Sequence, residues 1–266
     1  MPGTRRSGLL ALGGIALAAL LAVIGHLEVN EDLSPWSLTV SDFAVSDRGG
    51  VIDTAMVLLA AATAVLLPAL RRTPAATTDG HQAARTHRAL RRRRIGWAEG
   101  LMAAWAAGLL LAAVVPTNDP GTPMGAAAYV HRYASVVAFL ALPAGGWLLA
   151  NRLPAAAARW TRRFVIASAV LAVAMVWSAF PGDRVLIGLV ERLLILAEVT
   201  VLTIFALVVT GSPDRGDHAV VAPRRRATTA RPRTPGRGTA GRSGSHSSSW
   251  SMSWRADSVI DPERLG

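Results

Sequence analysis

The chain of 266 residues contains no cysteine and no lysine, and aromatic residues make up only 6% of it. Without cysteine there is no disulfide, no thiolate zinc site and no cysteine nucleophile. Charged residues are also scarce, at 17%, where an average soluble domain has about 25%. Hydrophobic residues reach 52%. This combination is typical of a chain that places most of its length in a membrane.

The sequence also lacks the motifs of several large function classes. It has no phosphate-binding glycine loop, no redox motif and no haem-attachment motif. Coupling to ATP hydrolysis and electron transfer are therefore disfavoured, and no cofactor is predicted.

Six stretches are long and apolar enough to cross a hydrocarbon core of about 30 Å. None shows the period-two alternation of a barrel strand, so each must satisfy its backbone groups as a helix. We therefore predict an all-α polytopic membrane bundle of six transmembrane helices over residues 1–210. The predicted spans are 8–27, 51–70, 95–115, 125–150, 164–180 and 185–210.

The placement of arginine predicts the orientation of these spans. Of 28 arginines, 24 precede the first span, lie in the loops 71–94 and 151–163, or follow residue 210. Cytoplasmic loops retain positive charge, so both termini are expected to be cytoplasmic. Arg5-Arg6 before an apolar run also resembles a twin-arginine signal peptide, but no A-x-A cleavage site follows. We interpret the run as an uncleaved first helix.

The tail 211–266 is rich in arginine, glycine and serine. It has too few apolar residues to form a core, which predicts disorder. Its arginines either attract anionic lipid headgroups, at about 1 kcal/mol for each arginine near the surface, or simply remain in solvent. Nucleic-acid binding is disfavoured, because only Trp250 and Trp254 offer bases a stacking surface.

Two acidic residues in the sixth span are the first candidate site. Glu191 and Glu198 are seven residues apart and so share one helix face. Glu198 falls near mid-span, where a charge costs on the order of 2.5–3.5 kcal/mol. Either the pair forms a proton or cation relay, or Glu198 is a neutral structural group that bonds to a neighbouring helix, for instance to Ser168 or Trp177.

A second group of ionisable residues is expected at the outer membrane face, where the first span ends and three others begin. These residues are His26, Asp53, Asp119, His131 and Glu191. Imidazole and carboxylate ligands suit a divalent metal, for which His26, His131 and Asp53 are candidates. Ser135, one turn beyond His131, is a candidate for a His-activated hydroxyl alongside Asp53 and Asp119. Interhelical ion pairs, such as Asp53 with Arg132, would explain the same residues without a site.

Three smaller features have both a structural and a functional interpretation. Trp36 and Phe43 in the first outer loop are either interfacial anchors or part of a lid over the outer mouth. The small-residue row that contains Gly108 in the third span indicates close helix packing inside the bundle. Glu99 is expected to pair with the arginines before it.

The order of these features resembles a prokaryotic membrane family, domain of unknown function 998 (DUF998). The resemblance rests on Ser41-Asp42 in the first outer loop, on Pro116-Thr117-Asn118-Asp119 after the third span, and on Gly125, His131 and Ser135 at the fourth. Asn118 departs from the family pattern as an apparent insertion. The resemblance covers about residues 8–210 and implies a six-helix integral protein in a prokaryotic plasma membrane. It implies no activity and no catalytic residue.

Three function classes remain open at this point. The leading hypothesis is an integral membrane protein with an outward-facing polar site and unknown activity. The alternatives are a small transporter or channel with a Glu191–Glu198 relay, for which a homo-oligomer is one arrangement, and a membrane-embedded hydrolase or transferase that uses the His131 cluster.

Overall fold

The computed structural model describes residues 3–27, 34–44, 49–72, 86–118 and 122–212. Every regular element within these ranges is a helix. Asp119 and the tail beyond residue 212, with its predicted disorder, lie outside them. The helices are α1 (Thr4–Leu27), α2 (Val40–Ala44), α3 (Gly49–Arg72), α4 (Thr86–Val114), α5 (Ala126–Ala150), α6 (Ala155–Ala179) and α7 (Ile187–Thr210).

All of these helices except α2 contain a segment long and apolar enough to cross a membrane, which makes six candidate spans in the described residues. The prediction of a six-helix, all-α membrane bundle is confirmed. The protein is a multi-pass membrane protein whose helices require a lipid bilayer around them.

Three elements differ clearly from the predicted spans. Helix α4 begins at Thr86, nine residues before the predicted start at 95. Helix α6 begins at Ala155, nine residues before the predicted start at 164, with Pro154 at its N-cap. Hydropathy excluded this stretch because of its arginines, but alanine and arginine are good helix formers. The short helix α2 lies between α1 and α3 in the chain, where no regular element was expected.

The six long helices form a closed ring in the order α1, α3, α4, α5, α6 and α7, with α7 packed back against α1. Helix α7 also contacts α3 and α5, so α4 is the single long helix that it does not approach closely. We call the end of the bundle where α3, α5 and α7 begin the α2 end. The opposite end, where α1 and α6 begin, is the arginine end.

Glycine allows two of these helix pairs to approach closely. A Cβ atom on Gly108 of α4 would lie 2.8 Å from the Ala134 carbonyl oxygen of α5. A Cβ atom on Gly8 of α1 would likewise collide with Thr210 and with the Ala206 carbonyl of α7, where the ring closes. The small-residue row in α4 is therefore used inside the bundle, as interpreted from the sequence.

One ion pair joins two helices at the arginine end. Glu99 of α4 lies 2.9 Å from Arg71, which is the second-last residue of α3. This partner is one of the arginines that precede Glu99 in the sequence, at the end of the preceding helix. Because Arg71 is largely exposed to solvent, the pair contributes little to stability.

Candidate functional site

Glu198 lies in the centre of the ring, halfway along α7. Its side chain is only 3% exposed. The indole Nε1–H of Trp105 donates a hydrogen bond to its Oε2 over 3.1 Å. Trp105 belongs to α4, the long helix that α7 does not approach closely, so this bond spans the interior of the ring.

The other carboxyl oxygen of Glu198 has no hydrogen-bond partner among the described residues. Oε1 is fully buried, and no hydrogen-bond donor or acceptor of the described residues reaches it. A buried polar atom without a partner costs about 1–3 kcal/mol, and native proteins hold few of them. Glu198 therefore offers an unoccupied oxygen at mid-membrane depth.

The partners suggested from the sequence for Glu198 have other roles. The Ser168 hydroxyl donates to the Phe164 carbonyl within α6, and Trp177 is 61% exposed. Sequence reasoning missed Trp105. The available signal was its depth, because Trp105 lies near the middle of the third span just as Glu198 lies near the middle of the sixth.

Glu191, two turns closer to the α2 end, is also buried. Its Oε2 accepts a hydrogen bond of 2.5 Å from the backbone N–H of Val40, the first residue of α2. The carboxylate thus holds α2 against the start of α7. Its side chain shares a helix face with Glu198, as the spacing predicted, but it already has a partner.

Arg192 binds the same loop from the neighbouring position. Its Nη1 donates to the carbonyls of Pro35 and Leu38 as well as to that of Gly188. Its guanidinium lies 5.0 Å from the centre of the Phe43 ring, a favourable cation–π geometry. Phe43 is buried, so it is not an interfacial anchor, whereas Trp36 is exposed.

Two further contacts complete this docking. Asp42 of α2 forms a 3.1 Å ion pair with Arg184 before α7. The backbone N–H of Gly188 donates to the Trp36 carbonyl, and a side chain at Gly188 would collide with the carbonyls of Pro35 and Leu38. We call residues 34–44 the α2 segment. It covers the end of α7 that carries Glu191.

His131 is buried near the start of α5. Its Nδ1 pairs with the Val115 carbonyl oxygen at 3.0 Å, beyond the end of α4. Asp53 of α3 interacts with His131 electrostatically, but no carboxylate of the described residues bonds to it. The Ser135 hydroxyl donates to the His131 backbone carbonyl, not to its ring. These contacts do not form a His-activated hydroxyl.

His26 lies at the end of α1 and belongs to the docking of the α2 segment. Its Nδ1 pairs with the Ala22 carbonyl at 2.6 Å, and its ring centre lies 5.1 Å from that of Phe43. Across the described residues, no three His, Asp or Glu side chains come together as metal ligands would. His26, His131 and Asp53 therefore share one end of the bundle without converging on one point.

The family model described as a protein of unknown function, DUF998, matches residues 12–208, which include most of α1 and almost all of the other five spanning helices. The chain belongs to the DUF998 family. No curated protein and no solved structure matches it.

The matched range of DUF998 contains every candidate residue of the site, from His26 to Glu198. It stops before the arginine-rich tail. The family has no known function, so any activity must be argued from the geometry of the site.

The docking contacts predict that Glu191 keeps the α2 segment closed over α7. The chain has no cysteine, so a Val40→Cys variant provides a single thiol whose accessibility can be measured. A Glu191→Leu change removes the acceptor of the Val40 N–H and is expected to speed labelling by a water-soluble maleimide about tenfold or more. The basis is that a hydrogen bond to a charged group contributes about 1.5–3 kcal/mol.

Asp183→Asn provides the control for this measurement. Asp183 is an exposed acidic residue in the same turn region before α7, and its neutralisation should leave the labelling rate unchanged. Equal labelling of Val40→Cys with and without Glu191 would show that the α2 segment is not held by this contact.

Proposed function

We propose that this DUF998 protein is a small proton-coupled transporter or proton channel in which Glu198 binds and releases the proton. The observation that carries the proposal is the free Oε1 of Glu198, buried at mid-span. An ionisable group at that depth is costly, and such groups mark ion and proton pathways in membrane proteins. Trp105 holds one carboxyl oxygen in place and leaves the other available.

The position of Glu191 supports a path to Glu198 from the α2 end. Seven residues of helix separate the two carboxyl groups by about 10 Å along the helix axis. Both side chains are buried on the same face of α7. The α2 segment covers Glu191 through the Val40 N–H, so movement of this segment would open the path.

The two other functions have less support from the described contacts. At the α2 end, Glu191 and Arg192 bind the α2 segment, and Arg184 pairs with Asp42 of that segment. Much of the predicted outward-facing polar site is therefore engaged in holding the α2 segment. For a hydrolase or transferase, His131 and Ser135 would have to face each other, whereas each bonds to a backbone carbonyl.

Reconstitution into liposomes tests the proposal. Vesicles of purified protein with an internal pH-sensitive dye and a potassium diffusion potential should acidify faster than empty vesicles. Glu198→Gln keeps an acceptor for Trp105 but cannot exchange a proton, so acidification should fall to the level of empty vesicles. Asp183→Asn, an exposed neutralised acid, should retain wild-type flux.

Wild-type vesicles that acidify no faster than empty ones, at any proton gradient, would contradict the channel form of the proposal. Undiminished flux in a folded Glu198→Gln protein would contradict the role of Glu198. A coupled transporter shows its flux only with its solute present, so a solute screen with the same dye forms part of the test.

We also propose that both termini are cytoplasmic and that the membrane is the plasma membrane of a prokaryote. The support is that 24 of 28 arginines precede the first span, lie in the segments 71–94 and 151–163, or follow residue 210. Reporter fusions after Gly80 and after Pro213 are expected to report the cytoplasm, and one after Asp119 the exterior. The reverse reporter pattern would show that the bundle has the opposite orientation. With both termini cytoplasmic, the basic tail would meet the anionic cytoplasmic leaflet.

A further inference from the structure

The first turns of α6 combine exposed arginines with a tryptophan at the arginine end. Arg159 and Arg163 are exposed and lie one turn apart on the same helix face. The guanidinium carbon of Arg163 lies 4.8 Å from the ring centre of Trp160, which is itself half exposed. Among the described residues, no Asp or Glu pairs with either arginine.

An apolar groove between α6 and α7 lies beside these arginines. The groove has a volume of about 360 Å³. Its walls include Ala156, Ala157, Trp160 and Phe164 of α6 and Ile204 and Leu207 of α7. The hydroxyl of Thr200, its polar member, bonds to the Leu196 carbonyl within α7 and presents no free group.

The length and position of the groove suit one leaflet of a bilayer. From Ala156 to Phe164 the helix rises about 12 Å, and one leaflet contributes about half of a hydrocarbon core of about 30 Å. Trp160, half exposed, is one wall of the groove, and tryptophan prefers the headgroup level of a bilayer. Arg159 and Arg163 lie beside this groove along α6, so a cationic and an apolar surface adjoin, as the headgroup and an acyl chain of a phospholipid do.

We infer that this face binds an anionic phospholipid, with the phosphate at Arg159 and Arg163 and one acyl chain in the α6–α7 groove. Two features favour an anion at this end. The arginines have no acidic partner among the described residues, and the first turn of α6 contains no acidic residue to balance its N-terminal dipole. The site depends neither on the tail nor on the proposed proton path.

Charge argues against a second copy of the chain as the occupant. A copy inserted in the same orientation would bring its own Arg159 and Arg163 to the same membrane level. A symmetric contact across this face would then place like charges opposite one another, and they would repel. A zwitterionic lipid would fill the groove but would leave the net charge of the arginines uncompensated.

Native mass spectrometry of the full chain in detergent, titrated with phosphatidylglycerol or phosphatidylcholine, tests the inference. Phosphatidylglycerol should bind about tenfold or more tightly than phosphatidylcholine. Neutralisation in Arg159→Gln/Arg163→Gln should remove this preference, since each arginine near an anionic surface contributes a factor of about five. Ala157→Trp fills the groove without a change of charge and should weaken both lipids.

Arg5→Gln/Arg6→Gln is the matched control, because it removes two exposed arginines at the arginine end from α1. This variant should keep the preference for phosphatidylglycerol. Excess inorganic phosphate should not displace the lipid, since phosphate cannot fill the groove.

Three results would overturn the inference. The first is equal binding of the two lipids by the wild type. The second is a loss of preference in Arg5→Gln/Arg6→Gln as large as in the α6 variant, which would indicate a general layer of lipid. The third is a lipid-independent dimer that Ala157→Trp abolishes, which would assign the groove to a second copy. Thermal unfolding without added lipid checks that each variant folds.

Discussion

Replacement of Trp105 by phenylalanine is expected to lower the unfolding temperature of the protein in detergent by about 5 °C. The change removes the donor to Glu198 Oε2 and leaves a buried carboxyl group with neither oxygen bonded. An unsatisfied buried group costs about 1–3 kcal/mol, and about 1 kcal/mol shifts the unfolding temperature by about 2–4 °C at this size. Loss of indole volume in a fully packed position adds to the effect.

Trp177→Phe is the matched control for this substitution. Trp177 is 61% exposed, so the same chemical change there should leave the unfolding temperature almost unchanged. Glu198→Gln should be close to wild type in stability, because the amide oxygen still accepts from Trp105. Loss of proton flux in that variant would then be separate from any loss of fold.

A double-mutant cycle measures the bond itself. Glu198→Leu removes the costly carboxyl group but leaves the indole N–H of Trp105 without an acceptor. The double variant Trp105→Phe/Glu198→Leu removes both polar groups and should be more stable than the sum of the single changes predicts, with a coupling of about 1 kcal/mol. Strict additivity would show that the two side chains are not bonded in the folded protein.

Substitution of Gly108 by alanine is expected to destabilise the bundle by about 2 kcal/mol, within the range for overpacked interiors. The added Cβ would lie 2.8 Å from the Ala134 carbonyl oxygen and 3.1 Å from the Ala138 Cβ. The first of these atoms is backbone, so α4 and α5 must separate to accept the methyl group. The measured quantity is the unfolding temperature in detergent.

Gly100→Ala is the matched control on the same helix. A Cβ on Gly100 meets nothing within 4 Å, so the change only improves helix propensity, by up to about 1 kcal/mol. Its unfolding temperature should be unchanged or higher. If both variants behave alike, α4 and α5 are not in close contact at Gly108.

The sequence was sufficient to predict the six spans and the class of the protein. Each span is long and apolar by its own composition, and the bilayer requires each to be helical without reference to its neighbours. The importance of Glu198 also follows locally, because the cost of a mid-span carboxyl group depends on its depth in the helix. The shared helix face of Glu191 and Glu198 is also a local property, because the two residues are seven positions apart in one helix.

The partners of these residues were decided by the tertiary structure. A span that is apolar all round does not specify which side faces which neighbour, so Trp105 could not be chosen over Ser168 or Trp177 from the sequence. The start of α6 was misjudged because hydropathy detects insertion into lipid, whereas the helix continues through Arg159 and Arg163 into the interface.

The use of the α2 segment also depended on packing between distant parts of the chain. Val40 and Glu191 are 151 residues apart, and no local pattern links them. Helix α2 has five residues, too few to be stable alone, and is held in place by contacts with α7. Composition and local spacing thus determined what enters the membrane and which carboxyl group is costly there. Only the packing of the helices around α7 decided that Glu191 is bonded at the α2 end, and that Glu198 keeps one oxygen free at the centre.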